Sequence, residues 1–207
     1  MQPTGLDAMR RLGAALIAAA AWVGLGIHLE AQLSASGSLP AAVWMLGGYF
    51  TVLANLVVAL AFSGLALGWR ASPRTVAGVT LAIVLVGAVY AILLQGLREL
   101  TAGAALANLL LHQLTPVLVP LYWLVFVRKG DLRWRDPLLW AAFPLAYLAY
   151  ALLRGTVEGH FAYPFIDLAA EGARQVGINV AAIALCFLIA GWLLVWLDRL
   201  LAGRGRA

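Results

Sequence analysis

The sequence predicts an all-α, polytopic membrane protein: a bundle of six transmembrane helices with both termini in the cytoplasm. Hydrophobic residues make up 64% of its 207 residues and charged residues only 11%, which leaves too few polar side chains to cover a soluble domain of this size. The apolar residues fall into six runs, and the basic residues collect in alternate connections between those runs. Most of the surface must therefore face lipid.

Each of the six apolar segments is close to or longer than the roughly 20 residues that a helix needs to cross the hydrocarbon core. We place the predicted spans at Leu12–Leu33, Ala41–Gly68, Thr75–Gly96, Ala105–Val127, Asp136–Leu153 and Arg174–Leu200. A cleaved signal peptide is the alternative for the first span, because Arg10 and Arg11 precede it, but this apolar run exceeds the usual signal core. No linker or repeat divides the chain, so 1–207 is predicted to be a single domain.

Basic residues set the predicted orientation. Eleven of them group on one side: Arg10, Arg11, Arg70, Arg74, Arg128, Lys129, Arg133, Arg135, Arg199, Arg204 and Arg206. Only Arg98, Arg154 and Arg174 remain on the other side. Because positive residues concentrate in cytoplasmic loops, both termini are predicted to be cytoplasmic. The net charge of +5 therefore indicates membrane topology, and no nucleic-acid partner is expected.

The predicted outer connection, 154–173, is long for a compact bundle, and its middle is aromatic and apolar. Phe161, Tyr163, Phe165 and Ile166 form that middle, so we expect it to fold back onto the bundle or the lipid interface. Two functions stay open for it. It is either an aromatic anchor at the interface or a lid over an outward-facing cavity.

Polar residues inside the spans are costly in hydrocarbon and usually face the bundle interior or a cavity. They fall at mid-depth or in the outer half of the predicted spans: His28, Thr51, Asn55, Tyr90, Gln95, Asn108, His112, Gln113, Thr115 and Asn179. In straight helices, Thr51 and His112 would lie roughly 15 Å and 10 Å below the outer boundary. Asn55 and Asn108 are each one turn from these two residues on the same face. These positions predict one polar pocket.

Pro116 adds a backbone feature to the predicted fourth span. Its ring nitrogen cannot donate to the carbonyl of His112, so a bend is expected there. Ordinary explanations compete with a functional pocket: a span threonine often bonds the carbonyl four residues earlier, paired asparagines often join helices, and a buried histidine is often a core residue. No GxSxG, HExxH, phosphate-loop or CxxCH motif indicates another chemistry, and the single cysteine, Cys186, excludes a disulfide or a CxxC site.

Four segments carry a resemblance to a known family. They are GYFTVLAN (Gly48–Asn55), NLLLHQLTPVLVPLYWLVF (Asn108–Phe126), LRWRDPLLWAAFPLAYLAYALLRG (Leu132–Gly155) and YPFIDL (Tyr163–Leu168). In this order they resemble the signature blocks of a bacterial six-span membrane family. That family is similar, more distantly, to the eukaryotic androgen-induced and androgen-dependent TFPI-regulating membrane hydrolases. The bacterial likeness implies location in the cytoplasmic (inner) membrane.

The resemblance implies an intramembrane threonine hydrolase that splits fatty acid esters of hydroxy fatty acids. Thr51 matches the family's nucleophile and His112 its base, and the family uses no metal or organic cofactor. The chain departs from the family pattern in the LLL run before His112 and in Tyr122, which stands where the bacterial pattern has an acidic residue. The expected partners are a lipid substrate, which enters the site from the bilayer, and the surrounding membrane lipids.

The chemistry of such a site needs further groups beside Thr51 and His112. Asn55, Asn108 and Asn179 are the candidate donors to a developing oxyanion. Candidates to orient the imidazole are Glu30 and Asp167, and candidates to hold a substrate carboxylate are Arg98, Arg154 and Arg174. Two other function classes stay open. A single haem could be held by His28 and His112, or the chain could be a transporter or scaffold without enzymatic activity.

Overall fold

The computed structural model describes residues 5–96 and 102–204, and over these residues the chain forms helices and contains no β-strand. The α-helices are α1 (Gly5–Ser36), α2 (Leu39–Leu46), α3 (Phe50–Ala66), α4 (Pro73–Val89), α5 (Ala102–Leu109), α6 (Thr115–Phe126), α7 (Asp136–Trp140), α8 (Ala142–Glu158) and α9 (Leu168–Arg204). Two π-helical turns, Tyr90–Leu94 and Leu110–Leu114, extend α4 and join α5 to α6.

The long apolar helices agree with the predicted class of fold. Among the described residues, five segments are long and apolar enough to cross a membrane: Gly5–Ser36, Pro73–Leu94, Gly103–Phe126, Asp136–Glu158 and Leu168–Gly203. A sixth is obtained when α2 and α3 are counted together as one span. The chain is therefore an all-helical protein with five or six helices suited to a membrane, as the composition predicted.

The predicted second span, Ala41–Gly68, is not one straight helix. Helices α2 and α3 meet at 97° across a short break that contains Gly47 and Gly48. Two successive glycines stabilise a helix poorly, and Tyr49 is extended (φ −105°, ψ 127°) before α3 begins. Thr51 thus lies in the first turn of α3. The depth of about 15 Å for Thr51 was calculated for a straight helix, and the bend between α2 and α3 contradicts that assumption.

The chain divides into two compact units, Met1–Arg128 and Lys129–Ala207, although no linker marks the boundary in the sequence. In the first unit, α1 packs mainly on α3. Alanines on α1, such as Ala14 and Ala21, are fully buried, and so is Phe62 of α3. Small residues let two helix backbones approach closely, which is how membrane helices gain packing energy.

The second unit contains α7, α8 and α9, and the connection between α8 and α9 starts later than in the predicted 154–173. Helix α8 continues to Glu158 and ends at Gly159, whose left-handed φ of 71° favours glycine. Helix α9 begins at Leu168, but its first turn is separated from the long remainder by a kink at Gly172, whose backbone (φ 76°, ψ 155°) is not helical. The connection folds back as expected. Tyr163 and Ile166 are buried, and the Tyr163 ring stacks on that of Phe165 with centroids 5.2 Å apart.

Candidate functional site

An open cleft of about 370 Å³ lies between α4 and α6 in the first unit. Its polar lining comes from Tyr90, Gln95, His112 and Gln113, and the rest of the lining is apolar. The cleft therefore combines an apolar wall with a few convergent polar groups, which is typical of binding sites for small apolar molecules.

Both π-helical turns border this cleft. The first carries Tyr90 and the second carries His112. In the first turn, the N–H of Gln95 donates to the carbonyl of Tyr90 five residues earlier (2.8 Å), and in the second, the N–H of Thr115 donates to the carbonyl of Leu110. The second turn lies where Pro116 withholds an N–H from the His112 carbonyl. The helix is thus irregular where Pro116 was expected to bend it, in the form of a π turn, a feature often found at functional sites.

The rings of Tyr90 and His112 pack against each other in the lining of the cleft. Their ring centroids are 4.5 Å apart, and the rings are tilted by 35°. The side-chain amide of Asn108 donates to the Tyr90 hydroxyl oxygen at 2.6 Å. Because that oxygen accepts this hydrogen bond, its own proton stays available for donation. The Nδ1 atom of His112 is buried and forms no hydrogen bond of good geometry among the described residues, although the backbone of Asn108, one turn earlier, is close enough to interact with the ring.

Gly87 allows this close approach of α4 to α6. A Cβ atom at Gly87 would lie 2.7 Å from Cβ of Pro116 and 3.1 Å from its Cγ. The proline ring cannot move aside as a flexible side chain would, so a larger residue at this position would push the two helices apart. Glycine thus sets the width of the cleft beside His112.

Asn55 joins α3 to the π turn that carries His112, and its side chain is fully buried. Its Nδ2 donates to the carbonyl oxygens of Thr51 (2.9 Å) and Leu111 (3.1 Å). Its Oδ1 accepts a hydrogen bond from the hydroxyl of Thr115 at 2.7 Å. Both amide hydrogens are therefore committed to backbone carbonyls, and neither is available to the oxyanion for which Asn55 was a candidate.

Thr51 is buried, with 6% of its surface exposed, in the first turn of α3. The same Asn55 nitrogen contacts the carbonyls of Thr51 and of Leu111, and Leu111 directly precedes His112. The peptide groups of the two predicted catalytic residues are thus neighbours. Thr51 is not among the residues that line the cleft, and its pairing with His112 stays a prediction.

Asn179 and Asp167 lie in the second unit, where each stabilises the connection before α9. The Asn179 amide donates to the carbonyl of Phe165 at 3.0 Å and accepts from Gln175 at 2.9 Å. One carboxylate oxygen of Asp167 accepts from the N–H groups of Ala169 (2.9 Å) and Ala170 (3.0 Å). Asp167 is therefore the N-cap residue of α9, because its side chain accepts from the N–H groups two and three residues later, which have no partner within the helix.

Arg154, also in the second unit, is held by its neighbours in α8. Its Nε donates to Glu158 at 2.9 Å, and another guanidinium nitrogen donates to the Tyr150 hydroxyl at 3.0 Å. Part of the guanidinium that was expected to hold a substrate carboxylate is therefore already bonded. Arg174 is exposed, and Arg98 lies outside the described residues.

The histidines were also candidates for a haem or metal site. Like His112, His28 has a buried Nδ1 atom for which the described chain offers no hydrogen-bond partner. No group of three or more His, Cys, Asp and Glu side chains suited to a metal ion occurs among the described residues. The single-haem alternative thus depends on this one histidine pair.

Tyr90 is the residue whose place at the site the sequence did not reveal. It was one of several polar residues expected in the outer half of a span, without a role of its own. Its position opposite His112 depends on the π turn Tyr90–Leu94 and on close packing at Gly87, and neither has a periodic signal in sequence.

Comparisons with protein-family models, with curated proteins and with solved structures give no match to this chain.

Proposed function

We propose that this chain is a six-span protein of a bacterial inner membrane, with both termini cytoplasmic, and that it hydrolyses lipid esters through Thr51 and His112. The observation that carries this proposal is the cleft in which two π turns place Tyr90 against His112. A buried imidazole in contact with a tyrosine, whose hydroxyl oxygen accepts a hydrogen bond and keeps its own proton for donation, is suited to ester cleavage.

In the first step, His112 accepts the proton of the Thr51 hydroxyl as its oxygen attacks the ester carbonyl carbon. The carbonyl oxygen becomes negative and accepts a hydrogen bond from the Tyr90 hydroxyl. The ester C–O bond then breaks, and His112 returns the proton to the departing alcohol. Water, activated by the same imidazole, next releases the acid from Thr51. These steps require the Thr51 hydroxyl to come within hydrogen-bond distance of the His112 ring. Asn55 already links the two backbones there, since its amide bonds the carbonyls of Thr51 and Leu111.

The proposed substrate is a fatty acid ester of a hydroxy fatty acid or a similar lipid ester. The apolar wall of the open cleft suits an acyl chain that arrives laterally from the bilayer, because such a chain needs no aqueous channel. The polar groups at Tyr90, Asn108 and His112 would hold the ester. The step sequence uses no cofactor.

Topology gives the first testable prediction. The split of eleven basic residues against three predicts that both chain ends face the cytoplasm. A phosphatase reporter fused after Ala207 should be inactive, and a fluorescent reporter at the same place should be bright, because phosphatase matures only in the periplasm. The opposite pattern would overturn the orientation.

Tyr90→Phe should lower kcat for ester hydrolysis by about a hundredfold or more, because it removes one oxyanion donor in a site with little water. KM should change little, since the ring remains. Tyr122→Phe is the matched control. Its hydroxyl is buried and has no hydrogen-bond partner among the described residues, so its removal should leave kcat unchanged. Equal activity of the Tyr90 variant and wild type would remove Tyr90 from the mechanism.

A further inference from the structure

A buried carboxylate organises the segment 129–135 of the second unit. Asp198 on α9 is fully buried, and its Oδ2 accepts hydrogen bonds from the N–H groups of Gly130 (2.9 Å) and Leu132 (3.1 Å). Burial lowers the pKa of the Lys129 amine below its usual value, and the Asp198 charge acts in the opposite direction. The two hydrogen bonds to Asp198 fix the segment against the last turns of α9.

The same arrangement buries negative charge and leaves positive charge at the surface. Asp136 is also buried, and its Oδ2 accepts from the N–H of Arg133 at 2.9 Å. Arg133, Arg135 and Arg199 are exposed. No carboxylate among the described residues forms an ion pair with any of these three. Their charges are therefore free to act on a ligand.

Tryptophans lie among these arginines. The Trp134 carbonyl accepts from the indole N–H of Trp192 at 3.1 Å, and the guanidinium of Arg199 lies 5.0 Å from the centroid of the Trp134 ring. Trp196, one turn before Arg199 on α9, is 54% exposed. Exposed tryptophans beside arginines are typical of the zone where lipid headgroups meet the acyl chains. We call Arg133, Trp134, Arg135, Trp196 and Arg199 the Arg–Trp surface.

We propose that the Arg–Trp surface binds the headgroup phosphate of an anionic phospholipid. Guanidinium groups match a phosphate with paired hydrogen bonds, and the tryptophans supply contact for the glycerol and the upper acyl chains. The surplus of exposed positive charge favours an anionic lipid over a zwitterionic one. This site is separate from the hydrolase proposal, since none of its residues lines the cleft.

Native mass spectrometry of the full chain in detergent tests the proposal, with phosphatidylglycerol and phosphatidylcholine of identical acyl chains as probes. Phosphatidylglycerol should bind at least about tenfold more tightly. Arg133→Gln with Arg199→Gln should remove most of that difference. The control is Arg70→Gln with Arg174→Gln, which deletes the same charge from exposed arginines elsewhere and should keep the wild-type preference.

Two further measurements complete the test. Melting temperatures in phosphatidylcholine should be equal for both double variants, because all four arginines are exposed, so a loss of binding is not a loss of folding. Soluble glycerol phosphate should not displace the lipid, since it lacks the chains that contact tryptophan. Equal affinity for both lipids, equal loss in both variants, or displacement by glycerol phosphate would each refute the lipid site.

Discussion

His112→Ala and Thr51→Ala should each abolish ester hydrolysis, with losses in kcat of about 10⁴-fold or more, because each removes one half of a nucleophile and base pair. The double variant should be little worse than either single variant, since residues that act as one unit lose their effect together. Thr51→Ser should keep part of the activity, because the hydroxyl remains. Hydrolysis of a long-chain ester of a hydroxy fatty acid by the purified protein is the measurement.

Two control variants separate catalysis from packing. Thr80 is a buried threonine in α4 whose hydroxyl donates to the Val76 carbonyl four residues earlier (2.8 Å), the ordinary role of a span threonine. Thr80→Ala should cost some stability and leave kcat unchanged. His160→Ala, at a largely exposed histidine of the second unit, should change neither. If Thr51→Ala behaves like Thr80→Ala, Thr51 is structural.

Asn55→Leu should lower the free energy of unfolding by about 2–4 kcal/mol. The leucine has a similar volume but leaves the carbonyls of Thr51 and Leu111 without their shared donor and the Thr115 hydroxyl without its acceptor. Thermal unfolding in a fixed detergent measures the loss. A double-mutant cycle with Thr115→Val should show strong coupling, because both side chains belong to one buried network.

The same variant distinguishes the two roles considered for Asn55. As the link between α3 and the π turn, Asn55 should lose stability and activity together when replaced. As an oxyanion donor, it would lose activity alone, with the melting temperature intact. Unchanged stability in Asn55→Leu would therefore contradict the hydrogen bonds seen here and restore the catalytic candidate.

The helices were predictable because they depend on local composition. Long apolar runs predict membrane helices whatever their neighbours, and Pro116 predicts a disturbance at His112 from its missing N–H alone. The break at Gly47 and Gly48 gives no signal in hydropathy, because a window of apolar residues averages across two glycines. It changed the position of Thr51 from the middle of a span to the start of α3.

The hydrogen bonds of the buried polar side chains depend on contacts between distant parts of the chain, and local composition does not indicate these contacts. The sequence made Asn55 a candidate oxyanion donor. Its hydrogen-bond partners in the structure, Leu111 and Thr115, are 56 and 60 residues away along the chain, so local sequence does not indicate them. The sequence assigned no role to Asp198, which is fully buried and accepts a hydrogen bond from the N–H of Gly130. Only a three-dimensional arrangement shows which polar groups are already satisfied.

The most direct test of the proposed mechanism is covalent labelling of the purified protein by a lipid-like fluorophosphonate, with the modified residue located by peptide mass spectrometry. Thr51 should carry the label, and labelling should be lost in Thr51→Ala and in His112→Ala but retained in Thr80→Ala. A label on another residue, or labelling of wild-type strength in Thr51→Ala, would contradict the proposal that Thr51 is the nucleophile.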